Sequence, residues 1–583
     1  MNVLYLLPSV ALLSVLIVSC QNSKQSDDVG SQSVEKADDP MPSPLVSKSD
    51  LGVSLKENKV VNNPYAYIPA QCYTKTRADG KVHNPCFSCH TVGKEPNYID
   101  DSEFQLAYAF RETTRQNAWT NLFKDRSQAM ANISDAEIVR YVNQSNYFLE
   151  DGKIELAERL KDLPASWDFD GNGKWEGYVP DCHYNFDSEG FDRDANGQDT
   201  GWRAFAYTPF LGTFWPTNGS LDDVLIRLPK AMREDDAGNY DRAVYNLNLS
   251  IVLAMIQRKN IVIDETDERV YNVDLNKNGQ LDVANEIVYD WAPIEGRTMS
   301  YVGKAKALQA EGKLHLAAGL YPEGTEFLHT VRYLGIKDND QVVWSPRIKE
   351  LRYGKKLFWN NYYQLKNATL SEIKEVDAFP DRLRTVKGDA EFGLSNGVGW
   401  IYQGFIENAE GRLRPQNFEE TLACIGCHSG TGATTDSSYA FPRKLDSSHF
   451  QNGWFHWSQK GIQGIKEPKY SDGSWQYTEY LLNNQSANEF RNNSEVMAKF
   501  WDDHSQLKVD QVERLHQDVA HLLMPSTERA KQLNKAYKII VDEQSYIYGR
   551  DAHIEPLDET VWKEVLEDEL TGVETPVIKS LTP

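Results

Sequence analysis

The sequence predicts a mainly α protein with extensive irregular loops, in which two helical regions bearing Cys-x-x-Cys-His flank a loop-rich acidic middle. Three observations predict it. Stretches with helical spacing or a helix-start signal recur at 134–142, 245–257 and 559–566. The motif Cys-x-x-Cys-His occurs twice, at 86–90 and again at 424–428. Between the two motifs, Asp/Asn-Gly runs alternate with glycine- and aromatic-rich segments such as Phe210-Leu211-Gly212-Thr213-Phe214-Trp215-Pro216, a composition of packed loops more than of long regular elements.

The chain of 583 residues is too long for one hydrophobic core. Its divisions follow composition: 1–20 an apolar leader, 21–58 a polar tether, 59–150 the region of the first motif, 151–300 the acidic loops, 301–415 a connecting helical or mixed region, 416–530 the region of the second motif, and 531–583 a helical C-terminal arm. With 40% hydrophobic and 25% charged residues the body is expected to fold in water. A net charge of -23 repels phosphate backbones, so nucleic acid is not an expected partner; cationic proteins and divalent ions are favoured.

The leader is almost unbroken apolar sequence from Leu4 to Val18, closing on Ser19-Cys20. It resembles the bacterial lipoprotein signal, which implies cleavage before Cys20 and acylation of that cysteine, although no Lys or Arg stands ahead of the apolar run. An uncleaved anchor helix is the alternative, and either takes the chain out of the cytoplasm. Gln21 follows the cysteine where an inner-membrane retention signal would carry aspartate, so the resemblance implies the outer membrane, facing the periplasm or the cell surface. The tether is rich in Ser, Asp, Lys, Gln and Pro and free of aromatics, a solvated spacer.

Seven cysteines are present. Cys20 belongs to the leader, and Cys86, Cys89, Cys424 and Cys427 to the motifs; Cys72 and Cys182 remain, a natural disulfide pair outside the cytoplasm, with two separate buried thiols as the alternative. In each motif two thiols stand about one helical turn apart with an imidazole next to the second, so both sulfurs reach the vinyl groups on one porphyrin edge while His90 or His428 turns under the iron. A thioredoxin-like redox pair or half of a zinc site is the competing reading, weakened by the two copies each followed by His. Both motifs resemble those of the c-type cytochromes, which implies two covalently bound haem c groups held by Cys86 and Cys89 and by Cys424 and Cys427, and cytochrome c-like domains around them.

The second axial ligand decides whether an iron is closed or open. For the first haem the candidate is Met130, ahead of a helix announced by Ser134 and Glu137 and by Ile133 with Ile138, a layout similar to small single-haem cytochromes. A core methionine is the alternative, and His329 the runner-up. For the second haem the candidate is His456, between Phe455 and Trp457, with His449, Met497 and Met524 as rivals.

Three loops in the middle follow the opening of a calcium loop, with oxygen ligands at alternate positions and Gly sixth: Asp168, Asp170 and Asn172; Asp192, Asp194 and Asn196; Asp274, Asn276 and Asn278. None has Glu at the twelfth place, which Val179, Arg203 and Asn285 occupy, so the candidate Ca²⁺ sites lack bidentate closure; ordinary polar turns are the alternative. The expected function is electron transfer in the cell envelope with redox partner proteins and a lipid anchor. A distant resemblance to the di-haem peroxidases and oxygenases implies the alternative, an oxidoreductase with one open iron; its reactive residues have no counterpart identifiable in this sequence.

Overall fold

The computed structural model describes residues 54–56, 68–78, 81–99, 101–213, 216–382, 385–484 and 493–579; the leader, Cys20 and nearly all of the tether lie outside them. The expectation of a mainly α protein is corrected: the chain is 31% helical and 19% strand, organised on one large antiparallel sheet.

In chain order the ten strands are β1 (Phe191–Arg193), β2 (Asp199–Ala204), β3 (Leu221–Asp222), β4 (Leu225–Arg227), β5 (Glu326–Ile336), β6 (Val342–Lys356), β7 (Lys387–Asp389), β8 (Gly393–Ser395), β9 (Trp400–Glu407) and β10 (Leu413–Pro415). They lie in the order β7-β8-β9-β6-β5-β4-β2-β1, with β10 paired to β9 and β3 to β5. The long central hairpin β5–β6 carries the sheet. Strand β6 escapes a reading by pattern because Arg347, Lys349, Glu350 and Lys356 are charged yet each at most 5% exposed, and burial runs through consecutive residues where an alternating strand would expose every second one. Their charges are met inside: Arg347 pairs with Glu407, Glu350 with Arg352 and Arg550, Lys356 with Asp436.

Two helices expected from the sequence form. Ser134 caps α1 (Asp135–Val142) by accepting from the Glu137 N–H, and Ile138 and Val142 bury one face. Helix α2 (Arg242–Gln257), capped by Asp241, is buried continuously from Val244 to Ile256 except at Asn246. Helices α3 (Tyr362–Ala378) and α4 (Phe418–His428) start on full capping boxes, Asn361 with Gln364 and Asn417 with Glu420. Helix α5 (Thr527–Glu543) packs Leu533, Tyr537 and Ile540 against the end of the sheet. The helix expected at 559–566 does not form: Val561 bridges Thr74, Glu564 bridges Gln116, and Val561 and Val565 are fully buried in a cluster with Tyr73, Trp119 and Leu122. Backbone pairing with the first-motif region replaces the helix's own hydrogen bonds. Among the described residues no helix is long and apolar enough to cross a membrane.

Candidate functional site

The first motif forms a single 3₁₀ turn, Cys86–Ser88, in which the Cys89 and His90 N–H groups donate to the Cys86 carbonyl at 3.1 and 2.8 Å. The Asn84 side chain accepts from the Cys86 N–H at 3.0 Å and starts the turn. The second motif is the last two turns of α4, packed on β8 and β9. Beneath it, Arg414 grips Glu420 through two 2.8 Å contacts, with both side chains fully buried. Glu420 is also the capping-box residue, so one carboxylate ties the start of α4 to β10.

Each motif histidine is oriented by a group that can only accept. Nδ1 of His90 lies 3.1 Å from the Asp101 carboxylate, and Nδ1 of His428 lies 2.9 Å from the Ser437 carbonyl oxygen. Nδ1 therefore carries the hydrogen in both rings and the Nε2 lone pair is free, the tautomer a metal-ligating imidazole needs. The Tyr402 ring stacks on His428 at 4.6 Å and Phe104 stands edge-on to His90 at 5.6 Å.

The fold brings the two motifs into one place. Asp101 orients His90 with one oxygen and accepts the Gly432 N–H with the other at 3.2 Å, while the Ala433 N–H donates to the Cys89 carbonyl at 3.2 Å. Asn97 also crosses the seam by donating to the Thr431 carbonyl, and within the second segment the Tyr439 hydroxyl donates to the Cys427 carbonyl. A Cβ on Gly432 would sit 1.7 Å from the Thr91 carbonyl oxygen, so only glycine allows this approach. Burial raises the Cys89 thiol pKa, and after it come Cys72, Cys427, Asp101 and Cys86. Thiols of both motifs thus lie within electrostatic reach of one another. Burial likewise raises Cys427 to about 11 and lowers His428, yet Cys86, Cys89, His90, Cys424, Cys427 and His428 all keep accessible surface.

The sheet face beside α4 adds residues that no local pattern marks. His329 on β5 pairs with Arg352 on β6, which pairs with Gly404 on β9, two residues from Tyr402; His329, Arg352 and Tyr402 share a face. Burial and then Arg352 push His329 down to about 3, so its ring is neutral, and its Nδ1 is closed off from solvent with no hydrogen-bond partner. His428 also contributes to that shift, which places the two rings near each other. Asp222 on β3, raised by burial and then by Asp223, accepts from the Tyr207 hydroxyl and also feels Arg352.

Other residues singled out from the sequence lie elsewhere. Met130 is buried with Ile138, Val142, Tyr333 and Tyr537, in a cluster that contains no motif residue. His456 is corrected as a ligand candidate: its Nε2 is bonded to Asp223 at 3.0 Å, its Nδ1 to Ser458 at 2.7 Å, and its ring stacks on Phe186, leaving no free nitrogen. Among the rivals, His449 is paired with Asp446, while Met497 and Met524 pack against core clusters. The Cys72–Cys182 disulfide is also corrected. Both thiols are free; Cys72 neighbours the motif cysteines, whereas Cys182 is fully buried near Asp192, Asp181 and Tyr147.

Of the three acidic loops, the second is a hairpin turn. Asp192 is on β1 with its carboxylate spent on the His183 and Asn185 N–H groups and Thr200, and Asp194 accepts the Asn196 and Gln198 N–H groups. In the other two, the Gly173 N–H donates to Asp168 and the Gly279 N–H to Asp274, at 3.1 and 3.0 Å. Asp170 and Asn172 turn on each other, as Asn276 and Asn278 do toward Asp282, and one Asp274 oxygen is buried without a partner. Among the described residues no group of three or more His, Cys, Asp or Glu converges as a metal-holding cluster.

A lipoprotein family model matches residues 56–515. A protein of Aquifex aeolicus (strain VF5) named "Uncharacterized lipoprotein" is 30% identical over 540 residues, covering 85% of this chain and 86% of the relative. No solved structure matches the chain.

Proposed function

Because the chain belongs to this lipoprotein family, whose members the name places in the cell envelope on a lipid anchor, we propose that it is a two-haem electron-transfer protein working there with redox partner proteins. The observation that supports this most is the meeting of the two Cys-x-x-Cys-His segments at Asp101, with both imidazoles held by Nδ1 and free at Nε2. Bound haem would supply one-electron redox chemistry. Cys86 and Cys89, and Cys424 and Cys427, would hold the two groups through sulfur, with His90 and His428 as proximal ligands. Asp101 keeps its partner imidazole electron-rich, and because it touches both segments it couples their positions. The outer membrane is the proposed location, from Gln21 after the acylated Cys20. The direct test is a denaturing gel stained for covalent haem, with intact mass of the purified protein; a colourless band at the unmodified mass ends this reading.

His329 is the residue best placed to close the second iron, because it is neutral, shares the sheet face with Tyr402 beneath His428, and has an unsatisfied ring nitrogen. His329→Ala is expected to convert one of two low-spin ferric signals to high-spin, read by absorption and electron paramagnetic resonance, with the other unchanged. Unaltered spectra would remove His329 from the coordination sphere.

The oxidoreductase reading gains from Arg352 and from Asp222, whose carboxyl burial pushes up, on the same face, since such groups serve as anion partner and as acid beside an open iron. The wild-type ferric spectrum separates the two: a high-spin signal that shifts with cyanide favours the enzyme. Structural calcium is proposed for the loops at Asp168 and Asp274 only. A chelator should lower the thermal midpoint of the calcium-equilibrated protein, and an unchanged midpoint would remove the metal from the account.

A further inference from the structure

Of the 17 residues of α3 only Leu365 is buried, packed with Ala317 and Leu320. A helix in a folded protein takes most of its stability from a packed face, and here that face is narrow: Leu365 and the half-buried Tyr362, whose hydroxyl donates to the Ala318 carbonyl. Beside it runs a second stripe that stays open. Tyr363, Leu370 and Ile373 are 73%, 53% and 55% exposed, and Lys366 and Lys374 stand exposed among them. Steps of three and four residues from Tyr363 through Lys366 and Leu370 to Ile373 and Lys374 keep all five on one side of the helix.

Two of the helix's three acids lie off this stripe and have partners: Glu372 pairs with Arg111 at 3.4 Å and Glu375 with Arg382 at 2.8 Å. Asp377 continues the stripe past Lys374, at its C-terminal end. Apolar side chains with lysines between them suit a helix lying in a membrane interface, where the lysine stems run along apolar surface and the ammonium groups reach lipid phosphates. The chain enters its body near the strands into which α3 leads. Leu55 packs with Trp167 and Ala390, and its N–H donates to the Ser166 carbonyl at 2.8 Å. Ala390 lies in the turn of the β7–β8 hairpin, at one edge of the sheet and directly after α3 in the chain, and Phe392 in the same turn is 51% exposed. A body held near lipid by its anchor meets that surface at high effective concentration, so a few side chains suffice for contact.

We infer that this face of α3 seats on the phospholipid surface that carries the anchor, with Tyr363, Leu370 and Ile373 entering the boundary between headgroups and acyl chains. The contact depends on the lipid anchor and is independent of haem. A second copy of the chain fits the stripe less well, because a twofold contact brings Lys366 and Lys374 against the same two lysines with Asp377 alone to meet them. Another exposed apolar cluster, Val262, Val270 and Val283, stands among Asp264, Glu265 and Asp282, with Arg269 already paired to Asp267, and so lacks the cations for an anionic lipid surface.

The test uses the acylated full-length protein in vesicles of phosphatidylethanolamine and phosphatidylglycerol that carry a photoactivatable phospholipid, with labelled peptides mapped by mass spectrometry. Label is expected on the 362–379 segment as well as on the N-terminal peptide. Leu370→Asp with Ile373→Asp should cut the label on α3 by about fivefold or more, and Lys366→Glu with Lys374→Glu several-fold. Val270→Asp, on the other cluster, should leave it unchanged. All five positions are exposed, so the fold is retained. N-terminal label with none on α3 overturns the inference and leaves the anchor standing, and label on neither removes both. Label on α3 that survives either double change, that falls equally in Val270→Asp, or that gives way to a crosslink between α3 and a second copy also overturns it.

Discussion

Replacing Cys424 and Cys427 together with serine is expected to halve the covalent haem content, read as absorbance per polypeptide and as the loss of one haem from the intact mass. The residual signal should belong to the first motif, and Cys86→Ser with Cys89→Ser should give the reciprocal result; all four changes should leave a colourless band. The reason is geometric. Two sulfurs on one helical turn fix the porphyrin edge, and an imidazole alone holds haem only as a dissociable ligand. The seam at Gly432, Asp101 and Cys89 makes the two sites neighbours, so the remaining haem should also shift its reduction potential when the other is gone. A wild-type preparation with no covalent haem would sink the experiment and the functional reading with it.

Breaking the pair under α4 should give the largest loss of stability. Glu420→Ala leaves Arg414 charged and fully buried with its two 2.8 Å carboxylate contacts gone, and removes the capping box as well; together these predict a loss of about 3–5 kcal/mol in urea unfolding at neutral pH. A loss below about 1 kcal/mol would show that the pair contributes no more than a surface ion pair. The pH dependence has a definite sign. Burial pushes Glu420 up, but Arg414 more than offsets it and the folded-state pKa lies below the usual carboxylate range. A group depressed on folding contributes stability above its unfolded pKa and loses it as pH falls through the folded value. Wild-type stability should therefore drop in acid more steeply than that of Glu420→Gln, which has no proton to gain there.

The candidate site was half legible. Cys-x-x-Cys-His is a local spacing rule and shows in any sequence that contains it, and so do the signals at Ser134 and Asp241 that start α1 and α2. Asp101, Ser437, Tyr402 and Arg352 carry no such signal, because each acts on a histidine or thiol through strand register or a loop contact. His456 misled for a related reason. Flanking aromatics in sequence did not make the pocket of its ring, which Phe186, ahead of β1, and Trp344, on β6, form while Asp223 and Ser458 occupy its nitrogens. The acidic loops split along the same line: a six-residue pattern does not separate a hairpin turn from an open polar loop until the strand pairing of Asp192 is known.

By itself the sequence determined the two haem-type motifs, the lipoprotein-like leader, two helices and the overall negative charge, since each is set by neighbours along the chain. Only the tertiary structure decided that the core is a ten-stranded sheet, that two motifs far apart in the chain share one site, and which histidines keep a free nitrogen. Burying charges such as those of β6 is tolerable only when partners arrive from other strands, and no one-dimensional pattern records where those partners will be.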